Sequence, residues 1–282
     1  MLSHRRASAS EFINRAKQVV ALSTVASPAK ERLASQPHRS FATMNGNDNS
    51  LEAIFRQKHL LRSRIRNELK NMDPIRRSEE DAAIQSIVLN ASWFKSSKSI
   101  CAYISSPELR EVDTSRIVSE ILSKPANAQE GDVLITRKLY VPRVEDRNSN
   151  MLMLRISSVD DLIVKSMKLL EPALSDADGN QHEDAMEAKD PVDLFILPGL
   201  AFDRSGRRLG RSGGYYDVYL KKYHKLAKDR KWKDPLCVAL SYSIQIVEEG
   251  AIPVTSNDVS VDALVSPAGF IPISRAAWER YA

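Results

Sequence analysis

Short apolar segments alternate with segments of helical periodicity along most of this chain of 282 residues. The apolar segments are rich in β-branched and aromatic residues, as buried strands are. They lie at residues 99–104, 139–142, 151–156, 192–197, 235–241 and 261–265. Apolar residues three and four positions apart predict helices, at residues 51–70, 74–88, 113–122 and 215–230. The alternation predicts an α/β fold with a largely parallel sheet.

Three local features refine this outline. The strand at 151–156 is expected to extend at a sheet edge, and Asp73 followed by Pro74 predicts a helix start. By contrast, residues 170–191 are acidic and have no periodicity, which predicts a surface loop without regular structure.

The two cysteines, Cys101 and Cys237, lie in apolar segments, which predicts buried and reduced thiols. The spacing of Cys and His residues matches no metal site. No apolar run approaches the length of about 20 residues that a membrane span needs, so we expect no membrane insertion.

The net charge of +5 is confined to the amino-terminal end of the chain. Residues 1–43 contain seven Lys/Arg and two acidic residues, which leaves 34 basic and 34 acidic residues elsewhere. Because the body of the chain is neutral, general basicity does not indicate a nucleic-acid partner, and none is expected.

Residues 1–43 are rich in Ser, Ala and Arg and lack the apolar core of a secretory signal, which is typical of an organelle-targeting peptide. The Arg-Ser-Phe sequence that ends at Phe41 resembles a mitochondrial processing site. We therefore expect residues 1–43 to direct the chain to the mitochondrial matrix and residues 44–282 to form one α/β domain. A disordered tail, or an extension before a second start at Met44, is the alternative.

The most specific signal is the segment LPGLAFDRSGRRLGRSGGYYDVYLKKY, residues 197–223. A buried strand ends at its start, and a turn rich in glycine and arginine leads into a helix. Glycines let backbone N–H groups approach an anion, the helix adds its positive end, and arginines add donors that match phosphate oxygens. The residues concerned are Arg207, Arg208, Gly210, Arg211, Gly213 and Gly214. The turn matches neither the Walker loop nor the dinucleotide fingerprint, and a structural turn with surface arginines is the alternative.

Charged residues elsewhere extend this signal. Asp217 lies one helical turn beyond the glycines, where a carboxylate can hold a magnesium ion that bridges phosphate oxygens, although helix dipoles alone favour acids there. Asp258 and Asp262 are candidates for a second ligand, because chain reversal can return one of them to the turn. On the first predicted helix, Lys58, Arg62 and Arg66 follow one another at steps of four and form a cationic stripe. A solvated charged face of the helix is the alternative.

With these motifs the chain resembles the 5-formyltetrahydrofolate cyclo-ligase family, also called 5,10-methenyltetrahydrofolate synthetases, over residues 57–265. The resemblance rests on LPGLAFDRSGRRLGRSGGYYD, on KHLLR at 58–62 and on PVTSNDVSVDALV at 253–265. It implies a three-layer α/β/α fold like that of sugar-phosphate isomerases and CoA-transferases. It also implies ATP and 5-formyltetrahydrofolate, with or without extra glutamates, as substrates and Mg²⁺ as cofactor. We expect a monomer.

Carried over by position, the resemblance implies a role for each site residue. ATP binding is implied for Lys58, Arg62, Arg208, Arg211, Ser212, Gly213, Gly214 and Tyr215. Folate binding is implied for Ile104, Glu111, Arg211, Tyr215 and Tyr216. Arg211 and Tyr216 are the implied catalytic residues, and magnesium is implied at Asp217 and Asp258. Many relatives have glycine where this chain has Ser212.

The implied reaction is phosphorylation of the N5-formyl oxygen by ATP, attack by N10 on the activated carbon, and loss of phosphate. Such chemistry depends on charge neutralisation and alignment more than on a protein nucleophile. The residues alone leave two alternatives. A non-catalytic nucleotide- or RNA-binding module is disfavoured by the neutral body and by the lack of an aromatic, basic surface strand. A sugar-phosphate isomerase or acyl-carrier transferase of the same fold requires an Asp/Glu/Lys set that the sequence does not reveal.

Overall fold

The computed structural model of this protein describes residues 46–123, 137–176, 178–211 and 213–281. The expected targeting peptide and Ser212 therefore lie outside the described residues. The helices are α1 (Gly46–Asn71), α2 (Pro74–Asn90), α3 (Ser92–Lys95), α4 (Ser115–Leu122), α5 (Tyr215–Asp229) and α6 (Arg275–Tyr281). The strands are β1 (Ser99–Ala102), β2 (Lys138–Val144), β3 (Met151–Ile156), β4 (Leu162–Val164), β5 (Leu170–Pro172), β6 (Leu194–Leu197), β7 (Ala201–Phe202), β8 (Arg208–Leu209), β9 (Leu236–Leu240), β10 (Ala263–Ser266) and β11 (Gly269–Pro272).

Seven of these strands form a central sheet in the order β11-β10-β9-β6-β1-β2-β3. Neighbouring strands from β10 through β9, β6 and β1 to β2 are parallel. The two edge strands, β3 and β11, run antiparallel to their neighbours. The predicted parallel sheet and the edge position of residues 151–156 are thus confirmed.

Helices cover both faces of this sheet and give the expected three-layer α/β/α fold. Successive strand residues point to opposite faces, so Ile100 packs with α1 to α4 while Cys101 packs with α5. Buried helix residues on the first face include Ile65, Leu69, Ile84, Val88 and Ile117. Those on the second face are Tyr219, Leu220, Tyr223 and Ala227.

The helices begin and end largely where periodicity places them. The Asp73 side chain accepts hydrogen bonds from the backbone N–H groups of Ile75 and Arg76, and Pro74 occupies the first turn of α2. This cap satisfies donors that a helix start leaves unpaired. Among the described helices, none combines the length and the apolar character that a membrane crossing requires.

The acidic segment at 170–191 is more ordered than the sequence predicts. Ala185 and Ala188 are fully buried on the α5 face of the sheet, and Asp184 forms a β-bridge to Leu154 of β3. Apart from β5, the described residues of this segment form no helix or strand, as predicted, but the burial of Ala185 and Ala188 shows that the segment does not lie wholly at the surface. Two alanines among acidic residues produce no periodicity, although they are small enough to pack against the sheet.

The predicted buried thiols are also found. Cys101 and Cys237 are both free and buried, on β1 and β9 with β6 between them. Burial raises the pKa of each thiol, which disfavours the reactive thiolate.

Candidate active site

The arginine- and glycine-rich turn connects the β7–β8 hairpin to α5. Gly214 has a φ of +72° and immediately precedes α5, and glycine adopts this left-handed conformation without a Cβ clash. A Cβ at Gly213 would lie 2.9 Å from the ring of Tyr215. The backbone conformation therefore favours glycine at position 214, and a side chain at position 213 would displace the ring of Tyr215. Part of the predicted turn is a strand, since Arg208 begins β8.

Arg208 is buried at the base of this turn and pairs with Asp217. Its Nη2 lies 2.8 Å from Asp217 Oδ1, and its Nη1 donates to the carbonyl oxygen of Pro198 at 3.3 Å. Its guanidinium carbon lies 5.7 Å from the centre of the Tyr216 ring, within the range of a cation–π interaction, about 6 Å. The buried Nε has no hydrogen-bond partner among the described residues. Arg208 therefore joins the end of β6 to the first turn of α5.

Lys58 and Asp258 form a second ion pair beside the turn. Lys58 Nζ lies 2.6 Å from each carboxylate oxygen of Asp258, which also accepts hydrogen bonds from the N–H and hydroxyl of Thr255. Burial raises the pKa of Asp258, but the hydrogen bonds from Lys58 and Thr255 outweigh this effect and hold the pKa below its usual range. The lysine expected at phosphate and the aspartate expected at magnesium are thus direct partners.

Arg62 and Arg66 connect α1 to the backbone of the same turn. Arg62 Nε donates to the carbonyl oxygen of Gly210 at 2.9 Å, and Arg66 Nη2 donates to that of Arg211 at 2.7 Å. Burial and the nearby Arg66 charge lower the pKa of Arg62. Both arginines contact the turn, so the alternative of a simple solvated helix face does not describe this stripe.

Glu111, in the loop after β1, faces the turn and pairs with Arg211. Its Oε1 accepts from Arg211 Nε at 3.0 Å, and its Oε2 accepts from the backbone N–H of Ser106 at 3.1 Å. Burial raises the pKa of Glu111, an effect that Arg211 and the Ser106 N–H oppose. Burial also lowers the pKa of Arg211, whose buried Nη2 has no hydrogen-bond partner among the described residues. An unpaired buried donor suits an acceptor supplied by a ligand.

The remaining predicted contacts lie around this pair. Tyr215 donates its hydroxyl to the carbonyl oxygen of Asp146 at 2.8 Å. Burial raises the pKa of Tyr216 above its usual range, which disfavours ionisation of its hydroxyl. Ile104 is half-buried and, like Tyr216, packs against the core on the α1 side of the sheet.

Tyr242 and Asp81 support the Glu111 loop and were not predicted from the sequence. The Tyr242 hydroxyl lies 2.7 Å from Asp81 Oδ1 and 3.0 Å from the carbonyl oxygen of Glu111. Burial raises the pKa of Asp81 to about 6, although the Asp113 N–H and the Tyr242 hydroxyl oppose it. The sequence offers one signal for the role of Asp81: this acid stands three residues before Ile84 and therefore on the apolar side of the helix.

Asp217 and Asp258 lie at one end of the site, as a shared magnesium site requires. Val259, next to Asp258, donates its backbone N–H to Asp217 Oδ1 at 3.0 Å. The described residues contain no group of three or more His, Cys, Asp or Glu side chains that could hold a metal ion. Two carboxylates nevertheless fit Mg²⁺, which usually keeps several waters and binds substrate phosphates. Asp262 instead accepts a hydrogen bond from the Cys237 N–H within the sheet.

The fold is that of an α/β protein with an arginine-rich turn opposite a buried carboxylate, an arrangement that suits an anionic ligand. A sequence model of the 5-formyltetrahydrofolate cyclo-ligase family matches residues 54–267 of this chain. The chain therefore belongs to the 5-formyltetrahydrofolate cyclo-ligase family, and it is an enzyme of that kind.

Individual relatives agree with this assignment. The chain is 56% identical to the mitochondrial 5-formyltetrahydrofolate cyclo-ligase of Arabidopsis thaliana over 247 residues, with 87% of each chain covered. It is 29% identical to the 5-formyltetrahydrofolate cyclo-ligase of Mus musculus, over 75% of this chain and 95% of the mouse protein. The solution structure of Aquifex aeolicus 5,10-methenyltetrahydrofolate synthetase matches with a TM-score of 0.57 and 26% identity, over 77% of this chain and 92% of that one. The resemblance read from the motifs is confirmed.

Proposed function

We propose that this chain converts 5-formyltetrahydrofolate to 5,10-methenyltetrahydrofolate with MgATP, releasing ADP and phosphate. The observation that carries the proposal is the position of Arg211, which belongs to the cationic turn and pairs with Glu111 at 3.0 Å. Arg211 thus connects a set of hydrogen-bond donors that suit an anion to a buried carboxylate that can accept hydrogen bonds from a pterin. Membership of the cyclo-ligase family supports the two substrates.

ATP phosphates bind between α1 and the turn. Lys58, Arg62 and Arg208 supply cationic groups there, and residues 211–215 supply backbone N–H groups and the positive end of α5. Lys58 already binds an anion, the Asp258 carboxylate, and in the complex it binds a phosphate oxygen as well. The left-handed Gly214 allows the chain to enter α5 directly from the phosphate contact.

Folate binds on the Glu111 side of Arg211. Glu111 orients the pterin by accepting hydrogen bonds from its N–H groups, and Ile104 contacts its ring. Tyr215 and Tyr216 lie at the boundary between the two substrates. The Tyr216 hydroxyl is a hydrogen-bond donor and can stabilise charge that develops on the formyl group.

In the first step, the N5-formyl oxygen attacks the γ-phosphorus of ATP, and the bond to ADP breaks. N10 then attacks the formyl carbon and loses its proton to solvent, while the carbon–oxygen bond to phosphate breaks. Arg208 and Arg211 neutralise negative charge on the phosphoryl group during transfer. No protein nucleophile takes part.

Asp217 and Asp258 would hold the Mg²⁺, which supplies further charge neutralisation to phosphate oxygens when bound. Both carboxylates pair with cations, Arg208 and Lys58, which keeps this end of the site balanced in charge. In binding phosphate, these two cations also position the nucleotide toward the carboxylates.

We also propose that residues 1–43 direct the chain to the mitochondrial matrix, with cleavage after Phe41, and that residues 44–282 form one monomeric domain. The mitochondrial relative from Arabidopsis supports this location. A fluorescent protein fused to residues 1–43 should enter mitochondria, and amino-terminal sequencing of the imported chain should begin at Ala42. A fusion that stays in the cytosol would contradict the proposal.

One assay tests the proposed reaction. The purified chain is mixed with 5-formyltetrahydrofolate and MgATP, and the methenyl product is followed by its absorbance while ADP is measured in parallel. We expect one ADP for each methenyl product. A folded chain that binds ATP but makes no product would instead be a non-catalytic nucleotide-binding module.

A further inference from the structure

A cavity of about 240 Å³ lies between the last turns of α1 and the loop that precedes Glu111. Its wall combines long cationic side chains with two leucines. The lining residues are Arg66, Leu69, Lys70, Glu108, Leu109, Arg110 and Arg211. Four of these seven side chains are cationic and one is acidic, in a chain body with no net charge.

Three of the cations have donors to offer a ligand. Lys70 and Arg110 have no side-chain hydrogen bond or ion pair among the described residues, and Arg211 Nη2 is buried without a partner there. Arg110 adopts a φ of 51°, an uncommon left-handed conformation for a residue other than glycine. Strained conformations of this kind cluster at binding sites.

The cavity adjoins the folate contact and lies at the opposite end of the α1 stripe from Lys58. Arg211 lines the cavity and also binds Glu111, so the two sites share one side chain. At the other end of the α1 stripe, Lys58 pairs with Asp258, next to the Asp217 end of the site. Lys58 and Lys70 are twelve residues apart on α1, a separation of about 18 Å at about 1.5 Å per residue.

We propose that this cavity binds the glutamate end of the folate substrate, which rests on the proposed function. The pterin needs an acceptor such as Glu111, whereas the anionic groups of a folate are the carboxylates at its opposite end. Lys70 and Arg110 bind those carboxylates. Leu69 and Leu109 supply apolar surface for the benzoyl ring that connects the two ends. Phosphates of ATP are the other anions available, and the experiment separates them.

The test compares two ligands that differ only in the anionic end. Dissociation constants for 5-formyltetrahydrofolate and for the methylamide of 5-formyltetrahydropteroate, in which an uncharged amide replaces the glutamate, are measured by calorimetry without ATP. For the double variant Lys70→Gln/Arg110→Gln we expect binding of the folate to weaken about three- to tenfold, as for two partly solvated charge pairs. Binding of the methylamide should change less than twofold, because it has no carboxylate for Lys70 and Arg110 to bind.

Arg64→Gln is the matched control, since Arg64 is an exposed cation on α1 that pairs with Glu68 outside the cavity. It should leave both dissociation constants unchanged. Equal weakening of both ligands, or no weakening of either, would overturn the inference. Weaker binding of a non-hydrolysable ATP analogue by the double variant, with folate binding intact, would assign the cavity to phosphate and overturn it too.

This binding experiment is independent of turnover, so the two proposals fail separately. If the wild-type chain makes no methenyl product, the proposed function fails whatever the calorimetry reports. If product forms but the glutamate contributes nothing to binding at Lys70 and Arg110, the assignment of the cavity alone fails.

Discussion

Lys58 Nζ lies 2.6 Å from both carboxylate oxygens of Asp258, although the two residues are 200 positions apart in the chain. The pair joins α1 to the loop before β10. It also couples the residue expected to bind ATP phosphate to one expected to bind magnesium, so substitution of either should affect both folding and nucleotide binding.

Lys58→Met should lower the free energy of unfolding by about 2 kcal/mol, because a partly buried carboxylate loses its charged partner. The KM for ATP should rise about tenfold or more. Urea unfolding of Lys58→Met, Asp258→Asn and the double variant gives the coupling between the two side chains. If the two single effects simply add, the ion pair contributes no stability.

Asp217→Asn should raise the Mg²⁺ concentration at half-maximal activity severalfold, because an amide is a weaker ligand than a carboxylate. The measurement is a Mg²⁺ titration of activity at saturating folate and ATP. Asp262→Asn is the control, since Asp262 belongs to the sheet through its bond to the Cys237 N–H. An unchanged titration for Asp217→Asn would remove Asp217 from the metal site.

Arg211→Ala should lower kcat by on the order of 100-fold, as expected for the loss of a charge partner of the transition state. Loss of its bond to Glu111 should also raise the KM for folate. Arg204→Ala, which removes an exposed arginine from the neighbouring hairpin, should be silent. Near-normal kcat in a folded Arg211→Ala protein would exclude Arg211 from catalysis.

Tyr242→Phe should lower kcat/KM for folate about fivefold, since one hydrogen bond of about 1 kcal/mol holds the Glu111 backbone. The KM for ATP should stay constant, because Tyr242 contacts the Glu111 side of the site. Tyr223→Phe is the matched control. The buried Tyr223 hydroxyl also forms a hydrogen bond with the backbone, accepting from the Val192 N–H on the other face of the sheet. Equal loss in both variants would indicate a general stability effect.

The raised pKa of Asp81 predicts a particular dependence of protein stability on pH. Its pKa of about 6 in the folded state exceeds the ordinary 3.8, so the folded state favours the protonated acid. The contribution of Asp81 to stability is therefore fully present below pH 3.8 and is lost as the pH rises through 6.

The side chain in Asp81→Asn stays neutral at every pH. Between pH 4 and pH 7 the free energy of unfolding of this variant should therefore rise by about 1–2 kcal/mol relative to that of wild type, a figure that allows for the partial exposure of Asp81. Urea unfolding at both pH values measures the gain. Glu79→Gln, an exposed acid on the same helix, should yield no such change with pH. A constant difference between Asp81→Asn and wild type across this range would contradict the raised pKa.

The sequence by itself determined four of the six described helices, six of the seven strands of the central sheet and the chemistry of the turn. Helical spacing, a proline after a capping aspartate and β-rich apolar runs are local signals, and local backbone preferences respond to them. Gly213 and Gly214 are likewise local, because a Cβ clash and a left-handed φ depend on neighbouring residues. Two alanines within the acidic segment were missed, since burial there depends on β3 and α5 rather than on periodicity.

Only the tertiary structure decided which charges meet. The order of β1 and β6 in the sheet brings Glu111 to Arg211, 100 residues away, and the packing of α1 brings Lys58 to Asp258. No spacing along the chain specifies either pair. The tertiary structure also distinguishes Asp258 from Asp262, two acids of similar sequence context. Asp258 lies beside the turn, whereas Asp262 accepts a hydrogen bond within the sheet. Tyr242 has the sequence context of a packing residue until the fold places its hydroxyl against Asp81 and the Glu111 loop. Long-range contacts depend on how strands cross over, and that is a property of the whole packed sheet.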